Sequence, residues 1–597
     1  MEEYMADSKE QRIFNSKKYF LIKIYEYFEN RHHVLQNKRC DSIRSLLRDV
    51  IYTRDELNGK NGHDERLIKS LKYLHEGIQF WYKENPLFEH EKLKRDFIIL
   101  IDHLKKNEDT NMTCNYISSL LKKLDRDNIA GLHIDLLLQR ETLPYAIIDK
   151  LLDSLVSDLI YEGYSLMYLT QWYKDNIQVK EITENNIDSV LNKFREIVCK
   201  DNKYNVMISC WLPPDLLKEV EETGKLNLNN YTYAKVLPNK LESIQDFIKF
   251  FPKGGNLLMV SEIEACDKYK AIERVKYIEN YLETYRSLHS SNMGKRVIHP
   301  TCLLEDNTGM KSLPIDHSIN GLTYNDIREK EDFRDFIELR ENLRKKRISS
   351  TDIAILERAL EIIRKSNSVT SETRFLNLWS VLEYLLTFYA RNTIIERVRQ
   401  IIPKVVCLYY VKEKMNVLWE RLLPLKSKDS FTGTDLLFAE CLDSDDNRKY
   451  NKSAFIAFLA DQHKATTLHN ALSENIIIQR EIAELNMLLV RFNETRSIVE
   501  NMHTIVAHDI NRIYRIRNKL VHSGRDVPEN IDIYSARLYR YLNHLVGTLI
   551  FYMKRTPNLT IEEILYSTVE TYSWYMDYIK LADAKRDDIA VPRYLYL

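Results

Sequence analysis

The chain has 597 residues, with 87 Lys plus Arg against 87 Asp plus Glu, so its net charge is zero and no global field draws it to a polyanion. At roughly 150 residues per domain that length points to about two to four domains rather than one minimal module. Glycine and proline make up about 4.5% of the chain against an average near 12%, which excludes collagen-like, all-β and low-complexity architectures and favours long helices.

Hydrophobic residues at 44% and 37 tyrosines describe a globular chain able to bury a core. The eight cysteines (Cys40, Cys114, Cys199, Cys210, Cys266, Cys302, Cys407, Cys441) are scattered without a C-x-x-C, a pattern expected of reduced thiols in the cytoplasm. Met1 to Phe20 is charged throughout, unlike a signal peptide. The most apolar late run, Tyr541 to Met553, is too short to cross a bilayer. A cytoplasmic protein with no membrane partner is expected.

From Gln11 to about Lys200 apolar residues recur at helical spacing, for example Ile147, Leu151, Leu152, Leu155 and Leu159. Residues 1–200 are therefore read as an N-terminal helical region. Short β-type runs follow at Asn205 to Leu212, Tyr231 to Leu237 and Asn256 to Glu264, then a helix over Lys268 to Ser287 and an extended stretch over Arg296 to Leu304. These define a small α/β module over 201–340, closed by a loop-rich connection from Asn307 to Glu331 that holds Gly309, Pro314 and Gly321.

Over 341–597 the helical pattern returns. Asp352 can cap a helix carrying Ile353, Leu356, Leu360 and Ile363. The next helix places Phe375, Leu378, Trp379, Leu382, Leu385, Leu386 and Tyr389 on one face. Residues 426–452 read as a loop or insertion, and Thr560 with Glu563 forms a capping box for the last helix.

The stretch that carries chemistry runs from His508 to Gly524. On a helix at about 100° per residue, Ile510, Ile513, Tyr514, Leu520 and Val521 form an apolar stripe with Arg517 inside it. A guanidinium there needs a carboxylate or an anion. Asn518 and His522 are four apart and neighbours on the flank, and Gly524 can end the helix. Histidine can move a proton near pH 7, arginine can hold a phosphate, and asparagine can orient either, so the three suit phosphodiester chemistry on RNA without a metal. The alternative is structural: Arg517 pairs with a core carboxylate such as Glu383 while His522 caps the helix.

Arg517-Asn518-Lys519-Leu520-Val521-His522 resembles the R-x4-6-H motif of HEPN domains. Phe375 to Glu383 is similar to the preceding helix of ApeA-like HEPN proteins of bacterial anti-phage defence, as are Leu159 to Ser165 and Val260 to Ile272 with Ala265-Cys266-Asp267. The resemblance covers about Asp352 to Leu597, is weaker over Lys150 to Ser350, and does not reach the first 150 residues. It implies a mainly α chain ending in a HEPN helical bundle. It further implies a metal-independent endoribonuclease without cofactor, with Arg517 and His522 catalytic, Asn518 assisting them and Glu383 supporting Arg517. RNA, tRNA or mRNA, is the expected partner, with a second copy in a HEPN homodimer, a phage-derived trigger and a sensor role for residues 1–200. A non-catalytic HEPN module binding RNA, nucleotide or a partner protein is the alternative, and an antitoxin-like partner of a nucleotidyltransferase a third. The sequence between the two motif helices is longer than a compact HEPN domain needs.

The basic clusters Arg344 to Arg347 and Arg391 to Lys404 can steer RNA or form solvated faces. His32-His33, His503 and His508 lack the spacing of a zinc site, and no phosphate-cradling glycine loop or nucleophile elbow is present. Tyr161, Tyr164, Tyr168, Trp172 and Tyr173 read as helix core rather than a base-stacking platform.

Overall fold

The computed structural model describes residues 9–29, 42–59, 64–106, 110–125, 128–139, 143–178, 181–197, 202–228, 231–236, 256–275, 278–279, 281–282, 298–307, 309–315, 350–366, 371–387, 393–426, 434–443, 449–523, 531–556 and 558–581. Among them helix dominates, with one small antiparallel sheet.

The N-terminal helices are α1 (Lys9–Phe28), α2 (Ile43–Gly59), α3 (Glu65–Glu84), α4 (Glu91–Lys106), α5 (Thr110–Leu124), α6 (Ile129–Gln139), α7 (Tyr145–Tyr161), α8 (Leu166–Tyr173) and α9 (Ile187–Asn192). The stripe anticipated at Ile147, Leu151, Leu152, Leu155 and Leu159 lies on α7; its four leucines are fully buried and Ile147, in the first turn, is partly buried. Asp153, Ser154, Ser157 and Asp158 are buried too, so α7 is enclosed on all sides from Leu151 to Ile160 rather than amphipathic. Two of these polar groups have internal partners: Tyr27 donates to Asp153 at 3.1 Å and Asn85 to Ser154 Oγ at 2.7 Å.

The α/β module comprises β1 (Asn202–Cys210), α10 (Pro214–Thr223), β2 (Lys225–Leu228), β3 (Tyr231–Lys235), β4 (Asn256–Ala265), α11 (Lys268–Val275), β5 (Thr301–Asp306) and β6 (Gly309–Pro314). The sheet order is β2-β3-β4-β1-β5-β6, with every neighbouring pair antiparallel. β1, β3 and β4 fall where alternating apolar residues place them. β2 is too short at four residues to carry a pattern. β6 lies inside the stretch read as a connection, because its side chains are largely exposed. Gly309, at φ +117°, supplies the left-handed geometry that turns β5 into β6. The helix expected over Lys268–Ser287 is described as α11 to Val275.

The C-terminal helices are α12 (Ser350–Ser366), α13 (Ser371–Leu386), α14 (Ile394–Leu422), α15 (Asp435–Cys441), α16 (Lys452–Ala460), α17 (Gln462–Ala471), α18 (Ile476–Val490), α19 (Phe492–Ser523), α20 (Ile531–Arg555) and α21 (Ile561–Leu581). Asp352 sits in the first turn of α12 rather than at its cap, since the helix begins two residues earlier. The Thr560–Glu563 box forms, with Glu563 N donating to Thr560 Oγ1 at 3.3 Å and Thr560 N to Glu563 at 2.8 Å. Within 426–452, Asp435–Cys441 is helical and Leu442 bridges Tyr450. Among the described residues no helix is long and apolar enough to cross a membrane.

One apolar core runs from Tyr19 to Ile197 and on from Ile355 to Ile579, so the N-terminal and C-terminal helices share it, while the sheet and α11 carry a second core from Tyr204 to Ile315. Buried ion pairs cross the first core. Glu26 of α1 holds Arg421 of α14, Lys414 holds Glu484 of α18 at 3.1 Å, and Glu413 holds Arg540 and His544 of α20. The first of these ties α1 to α14, which packs against α19.

Candidate functional site

α19 is 32 residues long and carries the whole His508–Ser523 stretch on one continuous helix. Within that stretch the buried apolar residues are Ile510, Ile513, Ile516 and Leu520, with Tyr514 partly buried. Val521, placed in the stripe by spacing, is instead 50% exposed. The buried face is therefore turned toward Ile516, and Arg517 stands at its edge with a side chain 24% exposed.

Arg517 Nη2 lies 3.5 Å from Glu383 Oε1 on α13. The same oxygen accepts a 2.6 Å hydrogen bond from the indole of Trp379, one turn earlier. Trp379 also meets Tyr514 of α19 with ring centroids 5.6 Å apart. The structure thus brings together Trp379, Glu383 and Arg517, three residues singled out from two stretches far apart in sequence. Arg517 Nη1 donates to Asn518 Oδ1 at 3.2 Å, which draws the guanidinium toward the Asn518 side of the helix. His522 falls in the last turn of α19, and a position four residues after Asn518 shares its face. The described side chains of this helix end at Val521, and Gly524 lies outside the described residues.

Sequence spacing did not reveal what happens to the neighbouring cations. Arg512 and Arg515, each 9% exposed, are buried more deeply than Arg517. Both reach Asp49 of α2: Arg512 pairs with its carboxylate, Arg515 Nη2 lies 3.3 Å from it, and Lys519 Nζ lies 3.0 Å away. Arg512 further donates to Ser45 Oγ at 2.6 Å and Arg515 to the Asp49 carbonyl at 2.7 Å. Lys519 also sits over the ring of Tyr52, 4.3 Å from its centroid. A sign of this was available in the sequence: Asp49 interrupts the apolar run Leu46-Leu47-Arg48-Asp49-Val50, as Arg512 interrupts that of α19.

A cavity of about 720 Å³ lies between α2, α3, the first turn of α14 and the flank of α19. Arg517 and Asn518 line it, as do His508 and Asn511 about two turns earlier on the helix. On the opposing wall Tyr73 carries Arg399 over its ring at 4.0 Å, and Phe80 packs against His508 with centroids 5.4 Å apart. The amide oxygen and nitrogen of Asn511 are both buried and have no hydrogen-bond partner among the described residues.

The other singled-out residues serve the scaffold. His503 stacks on Tyr572, and burial pushes its imidazole below the usual histidine range. Arg44 and Arg48 both lie over the ring of Tyr161 at 5.2 Å, Tyr164 stacks on Tyr168, and Tyr173 is buried. Leu159–Ser165 and Val260–Ile272 meet directly, as Ser165 N donates to Asp267 at 2.6 Å and Cys266 Sγ to the Glu162 carbonyl at 2.9 Å. Asp267 also accepts from the first amides of α11, so one buried carboxylate starts that helix and fixes it to α8. His32-His33, Arg344–Arg347 and Arg391 lie outside the described residues.

No protein-family model matches the chain, and no curated protein or solved structure matches it either.

Proposed function

We propose that the chain is a metal-independent endoribonuclease of the ApeA-like HEPN kind, in which Arg517 and His522 are catalytic and Asn518 and Glu383 position them. One observation carries the reading. Of the four cations crowded between 512 and 519, all of which line the cavity, three are committed to Asp49, whereas Arg517 pairs with Glu383 instead, at 3.5 Å and from a position 24% exposed. A pair of that kind contributes up to about 1 kcal/mol, so an RNA phosphate can take the place of Glu383 at little cost.

In this reading Arg517 receives the scissile phosphate and stabilises the charge that builds on it. The RNA 2′-hydroxyl attacks phosphorus, the bond to the 5′-oxygen breaks, and the products are a 2′,3′-cyclic phosphate and a 5′-hydroxyl. Two proton transfers accompany the step, one from the 2′-oxygen and one to the leaving 5′-oxygen. His522 performs one of them, and the His522 of a second copy performs the other across a homodimer. Val521, half exposed beside the motif, offers that copy an apolar contact. Glu383, held by Trp379, keeps the guanidinium aimed until substrate arrives. The biological role that goes with this chemistry is a toxin-like effector in anti-phage defence or abortive infection, acting in the cytoplasm and released by a phage-derived trigger.

A second reading, a non-catalytic HEPN module that binds RNA, nucleotide or a partner protein, is favoured by the closure of Arg517 onto Glu383 and Asn518. Growth of cells during phage challenge separates the two. Arrest with the wild type that vanishes in both Arg517→Ala and His522→Ala supports the nuclease, and protection retained in both variants supports the binding module.

A further inference from the structure

We infer that Arg399 and Lys404, beside His503, form a second phosphate site on the path of the RNA strand, some four turns of α19 away from Arg517. The identity of the polymer rests on the ribonuclease reading. The case for an anion site is independent of it.

The first observation is the fate of the basic run in the opening turns of α14. Arg397 donates to the Leu386 and Thr387 carbonyls at 3.4 and 2.9 Å and so closes the end of α13. Arg399 and Lys404 are half-buried and have no carboxylate or carbonyl partner among the described residues. Each meets an aromatic ring instead, Arg399 at 4.0 Å from the Tyr73 centroid and Lys404 at 5.9 Å from that of Tyr572. His503 packs on the same Tyr572 ring, with centroids 5.6 Å apart.

The second is the balance of charge. Burial, then the charges of Lys404 and Arg399, hold the His503 imidazole below the usual histidine range, and burial pushes the Lys404 ammonium below the usual lysine range. The acids nearby are engaged or stand off. Glu396 accepts from Thr393 N at 3.2 Å and lies 3.8 Å from Lys69, and Glu500 holds Arg496 at 2.8 Å. Glu570 of α21 acts on Lys404 from beyond ion-pair distance. Half-buried like charges without a counterion disfavour one another, and a bound anion relieves them.

The third is placement. α14 runs antiparallel beside α19: its first turn lines the cavity with Arg517 and Asn518, whereas Cys407 donates to the Val499 carbonyl at 3.5 Å. Tyr73, which carries Arg399, is itself part of the cavity wall. His503 and Arg517 are fourteen residues apart on α19, about 21 Å along the axis and close enough to four turns to share a face. A strand stacked at about 3.4 Å per nucleotide covers that span in about six. One single strand can therefore place a phosphate at Arg517 and another at Arg399 and Lys404.

The test is binding of fluorescein-labelled single-stranded RNAs of about 4 and about 16 nucleotides to the full-length His522→Ala chain, followed by anisotropy over a range of KCl. The longer RNA is expected to bind at least about tenfold better. Arg399→Gln and Lys404→Met should each remove most of that advantage and flatten the salt slope of the longer RNA by about 0.7, whereas Lys218→Met, on the exposed face of α10, should change neither. NMR titration of His503 supplies a readout that folding alone does not move. The longer RNA should raise its pKa, since an added anion favours the imidazolium, and Lys404→Met should raise it without RNA. Equal affinity for the two lengths, or a length advantage kept in both variants, overturns the inference. A His503 shift as large with inorganic phosphate as with RNA, without a length advantage, assigns the site to a free anion and also overturns the RNA path. The two readings fail separately. Length-dependent binding lost in the variants, with no cleavage by the wild type, removes the nuclease and leaves the site. Cleavage of the longer RNA with wild-type KM in both Arg399→Gln and Lys404→Met removes the site and leaves the nuclease.

Discussion

Replacing Asp49 with alanine tests how the N-terminal helices are joined to the motif helix. Its side chain, 9% exposed, is shared by Arg512, Arg515 and Lys519. Lys519, 28% exposed at its side chain, can turn to water, whereas Arg512 and Arg515 at 9% and 10% cannot. Their contacts to Ser45 and to the Asp49 carbonyl survive the substitution, so the loss is that of the anion alone. Breaking a buried pair in this way costs about 3–5 kcal/mol, because the cations are left uncompensated in a poorly solvated site. The expected result is a lowered midpoint of thermal unfolding, with hydrogen exchange rising first across 43–59. Removing the cations together with the anion, as Asp49→Ala with Arg512→Met and Arg515→Met, should restore most of the loss. A cycle of Asp49→Ala and Arg515→Ala should show coupling above about 1 kcal/mol. Additive single effects, or an Asp49→Ala chain as stable as the wild type, would refute the clamp.

Three further outcomes follow from the same geometry. Glu383→Gln and Trp379→Phe should each lower kcat for RNA several-fold with KM little changed, at a stability loss of about 1 kcal/mol; equal stability losses with full activity would leave the Trp379–Glu383–Arg517 chain a fold-stabilising contact. Gly77→Ala should raise stability by up to about 1 kcal/mol, since the residue lies within α3 and the added methyl meets nothing tighter than an ordinary contact; destabilisation on heating would show that the wall is tighter than described. Burial pushes the Asp158 carboxyl up to about 7 and the His133 imidazole down to about 4. Asp158 therefore binds its proton more readily folded than unfolded and contributes stability that is lost as the pH rises toward 7, whereas His133 contributes stability that grows from about pH 4 to 6.5. The two slopes oppose each other, so urea unfolding of Asp158→Asn should show stability climbing over that window more steeply than in the wild type. Identical profiles would contradict the assignment.

Much of this could be read from residues alone where the signal was local. Scarce glycine and proline foretold the helices, spacing found α7 and α13, and Thr560 with Glu563 marked the start of α21. The pairing of Arg517 with Glu383 was anticipated, as the structural alternative, because a guanidinium inside an apolar stripe needs a carboxylate. What local pattern could not show was the partner of a buried charge. Arg512 and Arg515 resemble solvated arginines in sequence, and only the packing of α2, more than 460 residues earlier, makes them the more buried cations. The stripe on α19 was drawn through Val521 rather than Ile516 because Ile516 stands between two arginines, one of which turns inward to Asp49. β2 and β6 escaped because a four-residue strand and an exposed edge strand have no apolar alternation to detect. The cavity was invisible for the same reason as Asp49, since its walls come from both ends of the chain.

The most direct measurement of the central claim is the chemistry of the cut ends. Purified chain, incubated with single-stranded RNA in EDTA and analysed by mass spectrometry, should yield fragments ending in 2′,3′-cyclic phosphate and beginning with a 5′-hydroxyl, lost in both Arg517→Ala and His522→Ala. Intact RNA under activating conditions, or the same fragments from His522→Ala, would contradict a ribonuclease built on these residues.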